Sequence, residues 1–240
     1  MSGPDRVDGT DTSAPTSPRI DGLAALELTP RRVEVRRLAQ AMRDIIEALV
    51  STTAETEQLA AAADDLERLA GVLGSFPGGQ TYQGFAEAAI AGELPGDAER
   101  WAFFDHSPFI GLANPMSPPM DVRYEGDRVV SDVTFGSAYE GPPGCVHGGY
   151  VAAAFDELLG AAQSLSGTQG MTAHLGVDYR RPTPLRTPLR MEGWLDRIDG
   201  RKIWARGTIV ADGELRAEAE ALFIAFDPGV FARLLAARGD

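Results

Sequence analysis

The chain has 240 residues, 44% of them apolar, and a formal net charge of −13. That length suits one large domain or one domain with an extension, and the apolar share is enough for a true core. The acidity argues against nonspecific nucleic-acid binding. No apolar run of about 18 residues is present, so no membrane span is expected. The N-terminal stretch lacks the basic-then-apolar pattern of a signal peptide, and the single cysteine, Cys145, leaves no internal disulfide. Both features lead us to expect a cytoplasmic protein.

Residues 1–22 are rich in Ser, Thr, Pro, Gly and Asp and are expected to be disordered. A helical extension is expected over 23–75. In its first part Val35, Leu38, Met42, Ile45, Ile46 and Leu49 recur at three and four residues. Thr52 followed by Glu55 reads as a capping box for a second helix with Leu59, Leu66, Leu69 and Leu73 as its apolar points. Gly71, Gly74 and the Pro77-Gly78-Gly79 turn end that helix. The two amphipathic helices are expected to pack on each other or on a neighbour. Residues 76–119 are irregular, aromatic and proline-rich, with Phe103, Phe104 and Phe109, and read as an ordered wrap over the C-terminal half.

From residue 120 the pattern turns to strands, and we place a second unit over 120–240. Two strands flank Glu125-Gly126-Asp127. A helix is predicted from His147 to Leu165, then strands over 171–181, 189–198, 202–211 and 215–226, with Asp199-Gly200 and Asp212-Gly213 as hairpin turns. Asp227-Pro228 closes the sheet before a short helix over 229–237. One long apolar helix among hairpin-linked strands predicts an α+β fold, an antiparallel sheet curled around that helix.

The chemistry concentrates between Gly144 and Thr172. His147, Gly148 and Gly149 open the helix, which is apolar nearly all round and so expected to be buried. Asp156 and Glu157 are its only acids, about 100° apart, so they cannot share one environment. Glu157 is expected at a solvent rim. A buried Asp156 needs a partner or a task. A glycine at a helix start leaves its N–H open to a carbonyl oxygen, an oxyanion-hole arrangement, although a tight loop-to-helix turn needs glycine equally. In the next strand, alternation puts Thr172, His174, Gly176, Asp178 and Arg180 on one face. From Tyr179 to Arg206 eight basic residues are interrupted by three acids, which fits either a local anionic ligand or a solvated sheet face. The three histidines and one cysteine show no metal-ligand spacing.

The pattern H-G-G-x6-D followed by M-T-A-x-L-x-x-x-Y-x-R-P-x-P-L resembles the hot-dog-fold acyl-CoA thioesterases, in the branch with phenylacetyl-CoA-type and THEM4-like enzymes. The matching residues are His147, Gly148, Gly149, Asp156, Met171, Thr172, Ala173, Leu175, Tyr179, Arg181, Pro182, Pro184 and Leu185, within roughly 120–226. The resemblance implies a hot-dog fold, assembled as a homodimer or dimer of dimers, with sites between subunits. It implies that Gly148 offers its N–H to a thioester carbonyl, that Asp156 is general base or nucleophile, and that Thr172 positions water or carboxylate. His147 is expected to organise the turn or contact the thioester. Gly149, Arg180, Arg181, Asp178 and His174 complete the expected substrate-binding set, the arginines facing coenzyme A phosphates. Relatives often carry an amide at the positions of His174 and Asp178.

The expected ligand is thus an acyl-CoA, as substrate, with no resident cofactor or metal and no nucleic-acid or membrane partner. Two further readings stay open. One is a non-catalytic acyl-CoA sensor with the N-terminal helices as output. The other is a hot-dog dehydratase or hydratase using Asp156 with His174. Residues 1–100 carry nine arginines, no lysine and seventeen acids, a poor composition for binding DNA.

Overall fold

The computed structural model describes residues 29–77, 105–168 and 170–225. The expected disordered stretch, Phe103, Phe104 and the short C-terminal helix over 229–237 lie outside them. Two helices come first, α1 (Pro30–Ser51) and α2 (Thr56–Gly74). Strands β1 (Asp121–Glu125) and β2 (Arg128–Val133), a 3-10 turn at Ser137–Tyr139 and helix α3 (Gly148–Gln163) come next. The chain then forms β3 (Gly170–Tyr179), β4 (Leu189–Asp199), β5 (Lys202–Ala211) and β6 (Glu214–Ala225).

All six strands join one antiparallel sheet in the order β1-β2-β4-β5-β6-β3. The hairpins lie where the glycines predict them. Asp212 and Gly213 both take positive φ, as a two-residue type I′ turn requires, and Gly200 takes positive φ at the first position of its loop. One face of the sheet seats α3. Val151, Ala154, Phe155, Leu158, Leu159 and Ala162 are buried against Met191, Ile203, Ala205, Ile209, Ala219 and Phe223. Gly193 and Gly207 pair across β4 and β5 beneath this helix. A Cβ on either would stand 3.1 Å from a leucine of α3, so the paired glycines let the helix settle closely on the sheet. This is the α+β hot-dog arrangement expected from the sequence.

The two N-terminal helices behave differently. Thr29 caps α1, with Pro30 in its first turn. Polar side chains then fasten α1 to the body. Arg36 donates to Asp105 Oδ1 (2.9 and 2.6 Å), and Arg43 donates to the carbonyls of Asn114 (2.8 Å) and Leu112 (3.3 Å). Glu47 accepts from Ser137. No residue of α2 is buried. Its capping box is formed by Glu55 and Gln58, not by Thr52 and Glu55, because Glu55 is the last extended residue before the helix. Thr52 instead closes a local turn, its Oγ1 accepting from Ala54 N at 3.1 Å. Of the expected wrap, residues 105–119 are described. Phe109 and Ile110 pack on the core, and Met120 N donates to Phe109 O at 2.9 Å.

Candidate active site

Loop 141–147 delivers the chain to α3. It is sewn to the segment after β3 by Val146 N to Thr183 O (2.8 Å) and Leu185 N to Gly144 O (3.1 Å). His147 is the N-cap: its Nδ1 accepts from Gly149 N at 3.0 Å, and its carbonyl accepts from Tyr150 N at 2.9 Å. A Cβ on Gly149 would meet that ring at 3.1 Å, so the glycine makes room for the cap. The Gly148 N–H has no acceptor among the described residues. It stands where the helix dipole and the unpaired first-turn donors favour negative charge. Tyr179 OH donates to Gly148 O at 2.8 Å and anchors the turn from the sheet side. In the sequence Tyr179 stands out only as a motif residue, and simple alternation puts it on the face opposite Thr172.

This turn borders an open cleft of about 610 Å³, lined also by Val146, Tyr179, Arg180, Arg181 and Thr183. Arg180 and Arg181 therefore do meet Gly148 and Gly149 at one cleft. Both guanidiniums are engaged there: Arg180 Nε donates to Glu218 at 2.8 Å, and Arg181 lies 3.3 Å from Glu214. The rest of the basic island is mostly an ion-paired outer sheet face. Arg206 pairs with Glu220 (2.6 Å), Arg197 with Asp196 (2.6 Å) and Arg190 with Glu125 (3.4 Å). Arg186 turns away toward Ser137 and Glu47. Cys145 lines the cleft, its Sγ directed to Pro143 O.

Thr172 and Asp156 form a second cluster, with Thr172 Oγ1 donating to Asp156 Oδ1 at 2.9 Å. The expected alternation fails here for a physical reason. β3 has a bulge between Thr172 and His174, so Thr172 pairs with Phe223 while His174 pairs with Leu222. Residues directly opposite on neighbouring strands share a face. Thr172 therefore lies on the helix-facing side with Leu175, Val177 and Tyr179. His174 and Asp178 lie on the outer side, opposite Leu222 and Glu218. The structure thus brings neither His174 nor Asp178 to the cleft. An Asp156–His174 pair is not formed, and Asp178 sits 3.5 Å from Arg180 instead.

The two acids of α3 also exchange the environments expected of them. Asp156 is exposed in the single chain, because the helix is buried only along its sheet-facing stripe. Glu157 is the half-buried one, beneath the 105–110 segment, where Ser107 Oγ approaches at 3.5 Å. Burial, with the Asp156 charge adding to it, pushes the Glu157 carboxyl up to about 7. Nothing in the spacing of the helix shows this, since the cover comes from a segment some fifty residues upstream.

The sequence matches the thioesterase superfamily over residues 143–218. A solved thioesterase superfamily protein is 35% identical, with a TM-score of 0.67, and the match covers 79% of this chain and 94% of that one. The chain belongs to the thioesterase superfamily. Acyl-coenzyme A thioesterase THEM4 of Rattus norvegicus is 38% identical over 103 residues, 42% of this chain and 44% of the relative. Its counterpart in Mus musculus is 39% identical over the same length and the same shares of each chain. The chain therefore spans less than half the length of these curated relatives. Among the described residues no group of three His, Cys, Asp or Glu side chains is placed to hold a metal ion, and no helix is long and apolar enough to cross a membrane.

Proposed function

We propose that the protein hydrolyses an acyl-CoA thioester, using water to give the free acid and coenzyme A. The observation that carries this reading is that one helix bears both a Gly148 N–H at its start, without an acceptor among the described residues, and a carboxylate, Asp156, held by Thr172. The N–H donates to a carbonyl oxygen and stabilises the negative charge that develops on it under attack. With Oδ1 occupied by Thr172, Oδ2 of Asp156 is left to take a proton from water or to attack directly. Arg180 and Arg181 at the cleft edge supply cations for coenzyme A phosphates by exchanging their carboxylate partners for the ligand.

The two ends of this machinery do not serve the same carbonyl within one chain. Eight residues separate them, about 12 Å along a helix. We infer that a second copy completes each site, its α3 running against this one so that one chain's Gly148 meets the other's Asp156. The uncovered face of α3 supports this. Gly149, Ala152, Ala153, Asp156 and Gly160 fall within one arc, are small apart from the acid, and stay incompletely buried. The single cysteine suits a reducing compartment, and we place this homo-oligomer in the cytoplasm.

The test is free thiol release across acyl chain lengths and aryl groups, for the native protein and for Asp156→Asn. Turnover by the native protein and its near-abolition in the folded variant are expected. Full activity in Asp156→Asn would sink the mechanism. Tight acyl-CoA binding without turnover would mark a sensor, and addition of water to an enoyl-CoA would mark a hydratase.

A further inference from the structure

The N-terminal helix α1 reaches the oxyanion turn through hydrogen bonds at both ends of the short 3-10 turn Ser137–Tyr139. Glu47 of α1 takes both donors of Ser137, its backbone N–H on Oε2 and its Oγ on Oε1, each at 2.6 Å. Gly136 permits this approach: a Cβ there would stand 2.5 Å from Glu47 Oε2. Ser137 opens the 3-10 turn that ends at Tyr139. The Tyr139 carbonyl accepts from His147 N at 2.9 Å, and its ring packs edge-on to Tyr150 with centroids 4.9 Å apart. His147 and Tyr150 flank Gly148 and Gly149. A second anchor converges on Ser137 from Arg186, which donates to Ser137 Oγ and lies 3.6 Å from Glu47 Oε1. Arg186 holds this pose at positive φ (53°), a conformation unusual for a side chain of its size, with its own N–H on Phe135 O at 2.8 Å.

We propose that Glu47 is a positioning residue for the oxyanion turn: through Ser137 and the Tyr139 carbonyl it sets the backbone that aims the Gly148 N–H. The inference rests on the thioesterase reading for its kinetic consequence, though not for its structural one. A carboxylate that only docked α1 would be equivalent to another of its fasteners, the Arg36–Asp105 pair, which ties α1 to the 105–119 segment instead of to the 3-10 turn. A positioning role separates the two, because misaiming an oxyanion donor lowers turnover and leaves ground-state binding in place.

The experiment compares Glu47→Ala and Glu47→Gln with Arg36→Gln in the full chain. It measures kcat and KM for the best acyl-CoA, the thermal midpoint, and amide hydrogen exchange. Glu47→Ala is expected to lower kcat roughly ten- to hundredfold with KM within about twofold. Glu47→Gln, which keeps one acceptor oxygen, should retain part of that activity. Arg36→Gln should lower the thermal midpoint and leave kcat near the native value. Exchange over 136–150 should rise in Glu47→Ala and stay unchanged in Arg36→Gln. Equal kcat losses in Glu47→Ala and Arg36→Gln, or unaltered exchange over 136–150 in both Glu47 variants, would overturn the proposal. If the native protein turns over no acyl-CoA, the proposed function fails while the exchange comparison still decides the role of Glu47.

Discussion

The first turn of α3 and the position of Asp156, two turns further along, are held in opposite ways. The turn is fixed within its own chain by the His147 cap, the Tyr139 carbonyl, the Tyr179 hydroxyl and the strap to Thr183. Among the described residues Asp156 has a single side-chain hydrogen bond, from Thr172, on a face that they leave exposed. An oxyanion donor must be aimed by its own backbone, whereas a carboxylate can wait exposed for a surface that completes it.

Asp156→Asn tests the lightly held end and should have the largest effect. A fall in kcat of about a thousandfold or more is expected if the carboxylate transfers the proton or attacks. The thermal midpoint should barely move, since an exposed side chain with one hydrogen bond contributes little to stability. The tightly held end can be broken selectively by Gly148→Pro, which removes the N–H at the one helical position that tolerates proline. His147 already has the extended backbone (φ −60°, ψ 132°) that a following proline demands. A loss of about a hundred- to a thousandfold in kcat is expected, with helix content retained by circular dichroism. Mixing the two dead variants joins both ends in one measurement. If each site takes Gly148 from one chain and Asp156 from the other, subunits of a dimer reassorted at random should recover about a quarter of native activity. No recovery in verified mixed dimers would place both groups in one subunit's site.

Glu157 gives an effect on stability instead. Its carboxyl titrates at about 7 in the fold against 4.5 in the open chain. A raised carboxylate favours the protonated fold, so stability should fall as the pH rises from about 4.5 to about 7. Glu157→Gln should abolish that slope, with a gain of about 2 to 3 kcal/mol at pH 8 and almost none at pH 4, read by denaturant unfolding at both values. Thr172→Ala should have the smallest effect, roughly tenfold in kcat, because it frees a carboxylate that stays in place on its helix.

The HGG turn, Asp156 and Thr172 are legible in the sequence as motif positions, and their mutual geometry is not. The bulge at Ala173 reverses the faces of β3, because one unpaired residue shifts every later side chain by half a period. It brings Tyr179 under Gly148 and sends His174 and Asp178 outward. Helical spacing assigns the acids of α3 to the wrong environments because burial depends on what covers a helix, here Ser107 and its neighbours. The basic island resembles a ligand site until its carboxylate partners, on the same strand and on adjacent ones, are in view. Glu47 carries no signal at all in a helix whose apolar spacing is the readable feature.

Helices, strands, hairpins and their order follow from the chain alone because periodicity and turn chemistry act over a few residues. The paired glycines beneath α3, the bulge in β3, the covering of Glu157 and the latch from Glu47 to Ser137 join residues between 14 and 90 positions apart. Such contacts depend on which surfaces meet after the sheet has curled, and local spacing carries no record of that. The same limit applies to the exposed face of α3 around Asp156, for which we propose a second copy of the chain as the partner.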